Sequence, residues 1–209
     1  MHIILNREQV FQMVGDAKVV IEIGACNGDD TRRLLNRFRN AKVYSVEPKP
    51  NNIKLWKDNI HNDRAYLYEG VISDHNGVVK LYCSEGKYIG ASSIRKPTEK
   101  LLRLFKGLTF SKEVLVDSLT LDAFVGRYCL NEIDFLWIDT QGAEKNIIVG
   151  GSVALQNTKF LFIEYAINEH YVGQILIADM LKELDKFGFK VKGYFQENVF
   201  LSNVNKTQA

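Results

Sequence analysis

The sequence predicts an α/β fold built on an open, mostly parallel sheet. Three observations carry that expectation. First, Val19-Val20-Ile21-Glu22-Ile23 is a short β-branched run of the kind buried on both faces of a parallel sheet. Second, it runs into a glycine turn, Gly24-Ala25-Cys26-Asn27-Gly28, and then into Asp29-Asp30-Thr31, a polar helix start. Third, three apolar strands end in carboxylates, Glu47, Asp139 and Glu164. In such a sheet ligands bind outside the carboxyl ends of the strands, so all three face one crevice.

Between His2 and Lys18, Val10, Phe11 and Val14 fall at helical spacing and predict a short helix beside the first strand, Val19–Gly24. A helix over Thr31–Arg39 carries Leu34, Leu35 and Phe38 on one face; its arginines read as a solvated face. Strand two, Lys42–Glu47, is stopped by Pro48 and Pro50, which cannot continue a ladder. A helix over Asn51–Asn59 and a strand over Ala65–Val71 follow. Asp74-His75-Asn76-Gly77 has turn chemistry, and Val78–Tyr82 resumes in alternation, which predicts a β-hairpin arm. Ser84 to Lys112 is irregular and basic, the pattern of a lid or binding loop, with a short helix near Leu101–Phe105. Val114–Val116 is a strand, and Thr120 caps the next helix.

Ile133–Asp139 is strand four, Gln141-Gly142-Ala143-Glu144 lead into a helix, and Phe160–Glu164 is strand five. An amphipathic helix is expected over Gly173–Phe187. Lys190–Phe195 and Asn198–Leu201 read as an antiparallel hairpin at the sheet edge, and Asn203–Ala209 as a frayed polar tail.

The bulk numbers exclude more than they assign. The 209 residues suit one domain, and a net charge of +2 is too small to argue for nucleic acid or an anionic surface. No apolar run approaches the ~20 residues of a membrane span. The N-terminus lacks a basic start followed by an apolar core, and Cys26, Cys83 and Cys129 form no CxxC. Reduced thiols in a cytoplasmic protein are the expectation.

Glu47 lies about twenty residues after the glycine turn, where a carboxylate accepts ribose hydroxyls. The turn lacks the later glycines of G-x-G-x-x-G, so a pyrophosphate would be poorly seated. A cofactor with a ribose but no phosphate fits better, and S-adenosylmethionine is one. The C-terminal hairpin also suits a methyltransferase sheet better than a dehydrogenase sheet.

IEIGACNGDDT, VYSVEPKPNNIKLWKDNI, GVISDHNGVVKLY, SSI, VDSLTLDAF, DFLWIDTQGAEKNIIVGG and FLFIEY follow one another in the order of the FkbM-type S-adenosylmethionine-dependent methyltransferases. The resemblance covers roughly Val19–Tyr165, with IDTQGAE as its most specific block; Glu22 stands where the family more often shows Asp. It implies a Rossmann-like class I methyltransferase sandwich: one domain with a mostly parallel seven-stranded sheet, a C-terminal antiparallel hairpin and a lid at about residues 84–112. It also implies O-methylation of a hydroxyl on a sugar, glycan or small natural product. By position, Glu22, Gly24, Ala25, Asn27 and Gly28 would form the cofactor turn and Glu47 would hold the ribose. Val71 and Ile72, with Ser73, would flank the adenine. Asp139, Gln141 and Glu144 would lie where methyl group and acceptor meet.

An alcohol is a weak nucleophile near neutral pH, so the reaction calls for a base, and Asp139, Glu164 and His170 are the candidates. Asp139, Glu144 and Glu164 could instead hold a divalent metal, although no tight ligand motif is present. The competing functions are a dinucleotide oxidoreductase, a non-catalytic cofactor-binding module and a nucleic-acid methyltransferase. Thin aromatic interleaving in the basic stretch disfavours the last.

Overall fold

The computed structural model describes residues 3–207. In chain order the elements are α1 (Arg7–Val14), β1 (Val19–Ile23), α2 (Asp29–Arg37), β2 (Lys42–Glu47), α3 (Pro50–Asn59), β3 (Ala65–Glu69), β4 (Val71–Ser73) and β5 (Gly77–Cys83). Then come α4 (Glu99–Leu104), β6 (Lys112–Thr120), α5 (Leu121–Arg127), β7 (Ile133–Ile138), α6 (Glu144–Val149) and α7 (Ser152–Gln156). β8 (Thr158–Glu164), α8 (Ile177–Asp185), β9 (Phe189–Phe195) and β10 (Asn198–Asn203) complete the chain. The main sheet has seven strands in the order β3-β2-β1-β7-β8-β10-β9. Pairing is parallel from β3 through β8, and β10 is antiparallel to both β8 and β9. The expected α/β sandwich with its C-terminal hairpin is therefore the observed one.

Alternation along the strands divides the core into two layers. Val20, Val43, Phe135, Trp137, Phe162 and Phe200 pack with Phe11, Leu34, Phe38 and Trp56 of the first three helices and their ends. Ile21, Ile23, Val46, Leu136, Ile138, Leu161 and Ile163 face the other way, onto Phe124, Ile147, Leu155, Met180 and Leu184. Each large side chain so buried contributes ~1.5–3 kcal/mol. A one-residue slip would exchange the layers, so register is strongly fixed.

From β1 the chain builds outward to β2 and β3, then returns to place β7 on the other side of β1. The reversal of strand order between β1 and β7 is the topological switch point. Asp139 N–H donates to Ile23 O there, at 2.9 Å, which sets the end of β7 against the start of the glycine turn.

Several expectations need correction. The 71–82 segment is not a hairpin. β6 inserts between β4 and β5, parallel to one and antiparallel to the other, in a second, three-stranded sheet. The turn chemistry is used otherwise: Asn76 Oδ1 accepts from Thr120 N–H, and His75 O accepts from Ser118 Oγ. Local residues code for a turn but not for the remote strand that enters beside it. β6 is also longer than the expected Val114–Val116. Thr120 both ends it and caps α5, its side chain accepting from Ala123 N–H.

α8 starts at Ile177 rather than Gly173. Gly173 takes φ +73°, and Gln174 Oε1 accepts from the backbone of His170 and Tyr171, so residues 173–176 form an irregular approach. The tail is held rather than frayed as far as Thr207. Asn203 is fully buried, Val204 N–H donates to Gly188 O and Thr207 N–H to Asn203 O. His2 and the last two residues of that expected tail lie outside the described residues. Among the described residues no helix is long and apolar enough to cross a membrane, and all three cysteines are free.

Candidate active site

A cavity of about 240 Å³ lies over the carboxyl ends of β1, β2 and β7. Its floor is the glycine turn. Gly24 adopts φ +98°, and a Cβ there would stand 1.8 Å from Asp139 O, so only glycine lets β1 and β7 close on one another. Gly28, at φ +86°, begins α2 but does not line the cavity. Its missing Cβ makes room for Ile60 and Trp56, so Gly28 shapes the turn without forming part of the wall.

Glu22 also departs from its expected place. In β1 it shares the face of Val20 and pairs in register with Ser45, so it points into the α2–α3 layer and away from the cavity. Thr31 Oγ1 donates to its Oε2 at 2.5 Å, and Ser45 Oγ at 2.8 Å. Trp56 Nε1 donates to Thr31 in turn. Burial pushes this carboxyl up to about 8, against the pull of those hydroxyls. Because the folded value lies above the unfolded one, the group's contribution to stability is complete below about pH 4.5 and is lost as pH rises through about 8. Glu22→Gln should therefore flatten the fall of Tm between pH 5 and 8 and leave the variant the more stable protein at pH 8. Melting curves across that range decide it; an unchanged slope would show that Glu22 is not buried as a neutral acid.

At one end of the cavity stands Glu47, 4% exposed. Its Oε2 accepts from Cys26 N–H at 2.8 Å and its Oε1 from Lys49 N–H at 2.9 Å, with Asn52 Nδ2 at 3.3 Å. Burial pushes its carboxyl up to about 7 despite these bonds. Asn52 is a site residue that sequence reasoning missed. It is 2% exposed, its Nδ2 donates to Ile89 O at 3.0 Å, and its Oδ1 has no hydrogen-bond partner among the described residues. A buried acceptor left bare is costly, by about 1–3 kcal/mol, and marks a place for a ligand donor. Lys49 was likewise missed; its Nζ donates to Ser84 O at 2.7 Å. Both lie in the EPKPNN stretch, whose prolines were legible only as a strand stop. Together they pin the first half of the expected lid, so Ile89, Gly90 and Ser92–Ile94 form a wall of the cavity.

Val71 and Ile72 line the middle with Val46 and Leu81, an apolar slot. Ser73 does not; it is buried and donates to Asp74 Oδ1. Ala25 and Asn27 line the turn side. Cys26 does too, but burial pushes its thiol up to about 11, so it is no nucleophile near neutral pH.

At the other end are Asp139, Thr140 and Gln141. Gln141 Nε2 donates to Asp139 Oδ1 at 2.8 Å and to both oxygens of Glu164, at 2.9 and 3.1 Å. Gln141 holds φ +56°, uncommon outside glycine; Gly142 follows at φ +96°, where a Cβ would also meet Tyr171 at 2.8 Å. Such paired left-handed residues persist only where the surroundings enforce them. Burial raises the Asp139 carboxyl. Burial followed by Asp139's charge raises Glu164 well above the usual carboxylate range, and the bond from Gln141 pulls both back in part. Both carboxyls are thus held above their ordinary range, so the two are unfavourable to ionise together.

His170 does not belong to this group. It does not line the cavity, and its carbonyl holds Thr98 N–H and Oγ1 at 2.9 Å. Its neighbour Tyr171 turns inward instead, 2% exposed, with its hydroxyl donating to Ala91 O at 2.8 Å. Glu144 is buried and does not line the cavity, its Oε1 accepting from Thr140 Oγ1 and Gly142 N–H at 3.1 Å. It braces the 140–143 turn. Among the described residues no group of three or more His, Cys, Asp or Glu side chains is arranged to hold a metal ion, the trio Asp139, Glu144 and Glu164 weighed for that role included.

The sequence profile described as the Methyltransferase FkbM domain matches residues 22–191. The chain belongs to the FkbM methyltransferase family. The 2-O-methyltransferase NoeI of Sinorhizobium fredii (strain NBRC 101917 / NGR234) is 33% identical over 189 residues, covering 88% of this chain and 77% of NoeI. Among solved structures, Methyltransferase FkbM from Methylobacillus flagellatus KT superposes with a TM-score of 0.57 at 13% identity over 89% of this chain. The chain spans 43% of that structure's length. Sp1610 of Streptococcus pneumoniae, solved in complex with S-adenosyl-L-methionine, gives a TM-score of 0.51 at 13% identity, covering 96% of this chain and 73% of that one. These two likenesses speak to the fold, and the profile speaks to the family.

Proposed function

We propose that this FkbM methyltransferase uses S-adenosylmethionine and transfers its methyl group to a hydroxyl oxygen of a sugar or small natural product. The observation that carries the reading is the pair of buried acceptors at one end of the cavity, Glu47 and the bare Asn52 Oδ1, set opposite Asp139 at the other. Three of roughly four carboxylate lone-pair sites on Glu47 are occupied. One remains, and Asn52 Oδ1 supplies a second, which matches the two hydroxyls of a ribose. The slot of Val46, Val71, Ile72 and Leu81 suits an adenine, and the Gly24–Asn27 backbone suits an amino-acid end.

When bound, S-adenosylmethionine supplies a methyl carbon on a sulfonium, and transfer leaves a neutral thioether. Asp139 would take the acceptor's hydroxyl proton at its carboxylate as the oxygen is methylated. Gln141 fixes the orientation of Asp139, and Glu164, its carboxyl pushed well up, keeps a second negative charge out of the site. Alignment is the larger contribution, and proton removal adds about 10²–10⁴-fold. The 2-O-methyltransferase activity in NoeI's name supports an oxygen acceptor.

Thermal shift tests the cofactor. S-adenosylhomocysteine at 100-fold over its Kd should add about 2.7 kcal/mol, a Tm rise of roughly 5–10 °C for a domain of this size. NAD should give none. A rise with NAD alone would favour an oxidoreductase, and no rise with either in folded, ligand-free protein would favour a non-catalytic module.

A further inference from the structure

The segment between β5 and β6 carries a small core of its own. Leu101, Leu108 and Tyr171 are buried in it, and Tyr88, Ala91 and Phe110 pack against them. Within it lies a second cavity of about 280 Å³, walled by Tyr88, Leu101, Phe105, Leu108 and Tyr171. Ile89, Gly90 and Gln141 belong to the walls of both cavities. The two chambers are therefore neighbours across Gln141, the side chain that bonds Asp139 and Glu164.

The chemistry of this wall is selective. No carboxylate lines it, and Lys87, its one charged side chain among the described residues, sits 5.2 Å from the Tyr88 ring centre. Tyr88 and Phe105 meet edge to face at 5.9 Å, fixing two aromatic surfaces at one angle. Such surfaces receive the C–H face of a saturated ring. With its Nε2 committed to the carboxylates, Gln141 keeps Oε1 as an acceptor; its nearest donor, Tyr171 OH, is 3.5 Å away and already bonded to Ala91 O. The volume is near the low end of small-ligand sites, ~300–1,000 Å³, which suits one ring rather than several.

We infer that this second cavity is the acceptor site and that it takes a single pyranoside ring of a glycoside, its C–H face on Tyr88 and Phe105 and one hydroxyl held by Gln141 Oε1 at the junction with Asp139. This rests on the methyl-transfer reading above. The ring's hydroxyls then have Gln141 and the Gly90 backbone as polar partners, and its substituents leave past Phe105, which is 43% exposed.

The test is saturation-transfer NMR of p-nitrophenyl pyranosides on protein loaded with S-adenosylhomocysteine. At least one member of the panel should bind, with saturation strongest on ring C–H protons. Phe105→Ala and, separately, Tyr88→Ala should each weaken that binding about tenfold, while the Tm rise caused by S-adenosylhomocysteine stays within 1 °C of the parent's. Failure of every pyranoside to bind the loaded protein overturns the ligand class. Binding indifferent to both substitutions overturns the location. Absence of any S-adenosylhomocysteine shift in the parent protein overturns the cofactor reading instead, so the two failures are told apart.

Discussion

Asp139→Asn should reduce methyl transfer by about 10²–10⁴-fold while S-adenosylhomocysteine affinity changes by no more than about threefold. Asn keeps the size of the side chain and an oxygen for Gln141 Nε2, which now bonds Asp139 Oδ1 at 2.8 Å, but it cannot take a proton. Glu164→Gln is the companion variant. Burial and the Asp139 charge push the Glu164 carboxyl well up, and Gln places a neutral donor there, so turnover should stay within about tenfold of the parent. Single-turnover transfer of a labelled methyl group, set beside cofactor titration, separates the two effects. Equal loss of rate and affinity in Asp139→Asn would make Asp139 a cofactor ligand and not the base. Collapse in Glu164→Gln with an active Asp139→Asn would exchange their roles.

Glu47→Gln should weaken S-adenosylhomocysteine by about 10–100-fold, the scale of a hydrogen bond to a charged group at ~1.5–3 kcal/mol. It should also remove the pH dependence of binding. Glu47 titrates near 7 in the folded protein, and only the ionised form offers acceptors to the Cys26 and Lys49 amides and to a ribose together. Parent affinity should accordingly rise with pH, about tenfold per unit below pH 7, and level off above it. Gln leaves one of the two amide donors facing an NH₂ group, so some loss of Tm accompanies the change. Asn52→Ala, which removes the unpartnered Oδ1, should weaken binding by roughly tenfold without that pH signature. Calorimetric titration at pH 5.5, 7 and 8.5 reads all of these. A pH-independent parent affinity would place the ribose elsewhere.

What was legible in the sequence was what is local to a strand end. Glycine after β1, an acid at the end of β2 and an acid after β7 each announce themselves within a few residues, and the parallel order brings them to one crevice. Side-chain direction was less legible. β1 is buried on both faces, so no polar alternation marks which face Glu22 takes; only its pairing with Ser45 shows that it serves the α2–α3 layer. Contacts formed across long sequence separations were hidden. His170 follows β8 closely, yet the loop path turns its carbonyl to Thr98 and brings Tyr171 inward instead. β6, which inserts between β4 and β5, lies beyond the whole segment from Ser84 to Ser111 and leaves no local mark on them. Asn52 was invisible for a different reason: on a helix face it reads as solvated polarity until Ile89 folds over it.

The central claim is that one cavity places an adenosyl ligand between Glu47 and Asp139. A crystal structure of the protein with S-adenosylhomocysteine tests it most directly. The account predicts ribose hydroxyls within hydrogen-bond distance of Glu47 and Asn52 Oδ1, adenine between Val71, Ile72 and Leu81, and sulfur turned toward Asp139 and Gln141. A ligand bound with its ribose away from Glu47, or with its sulfur facing away from Asp139, would contradict it.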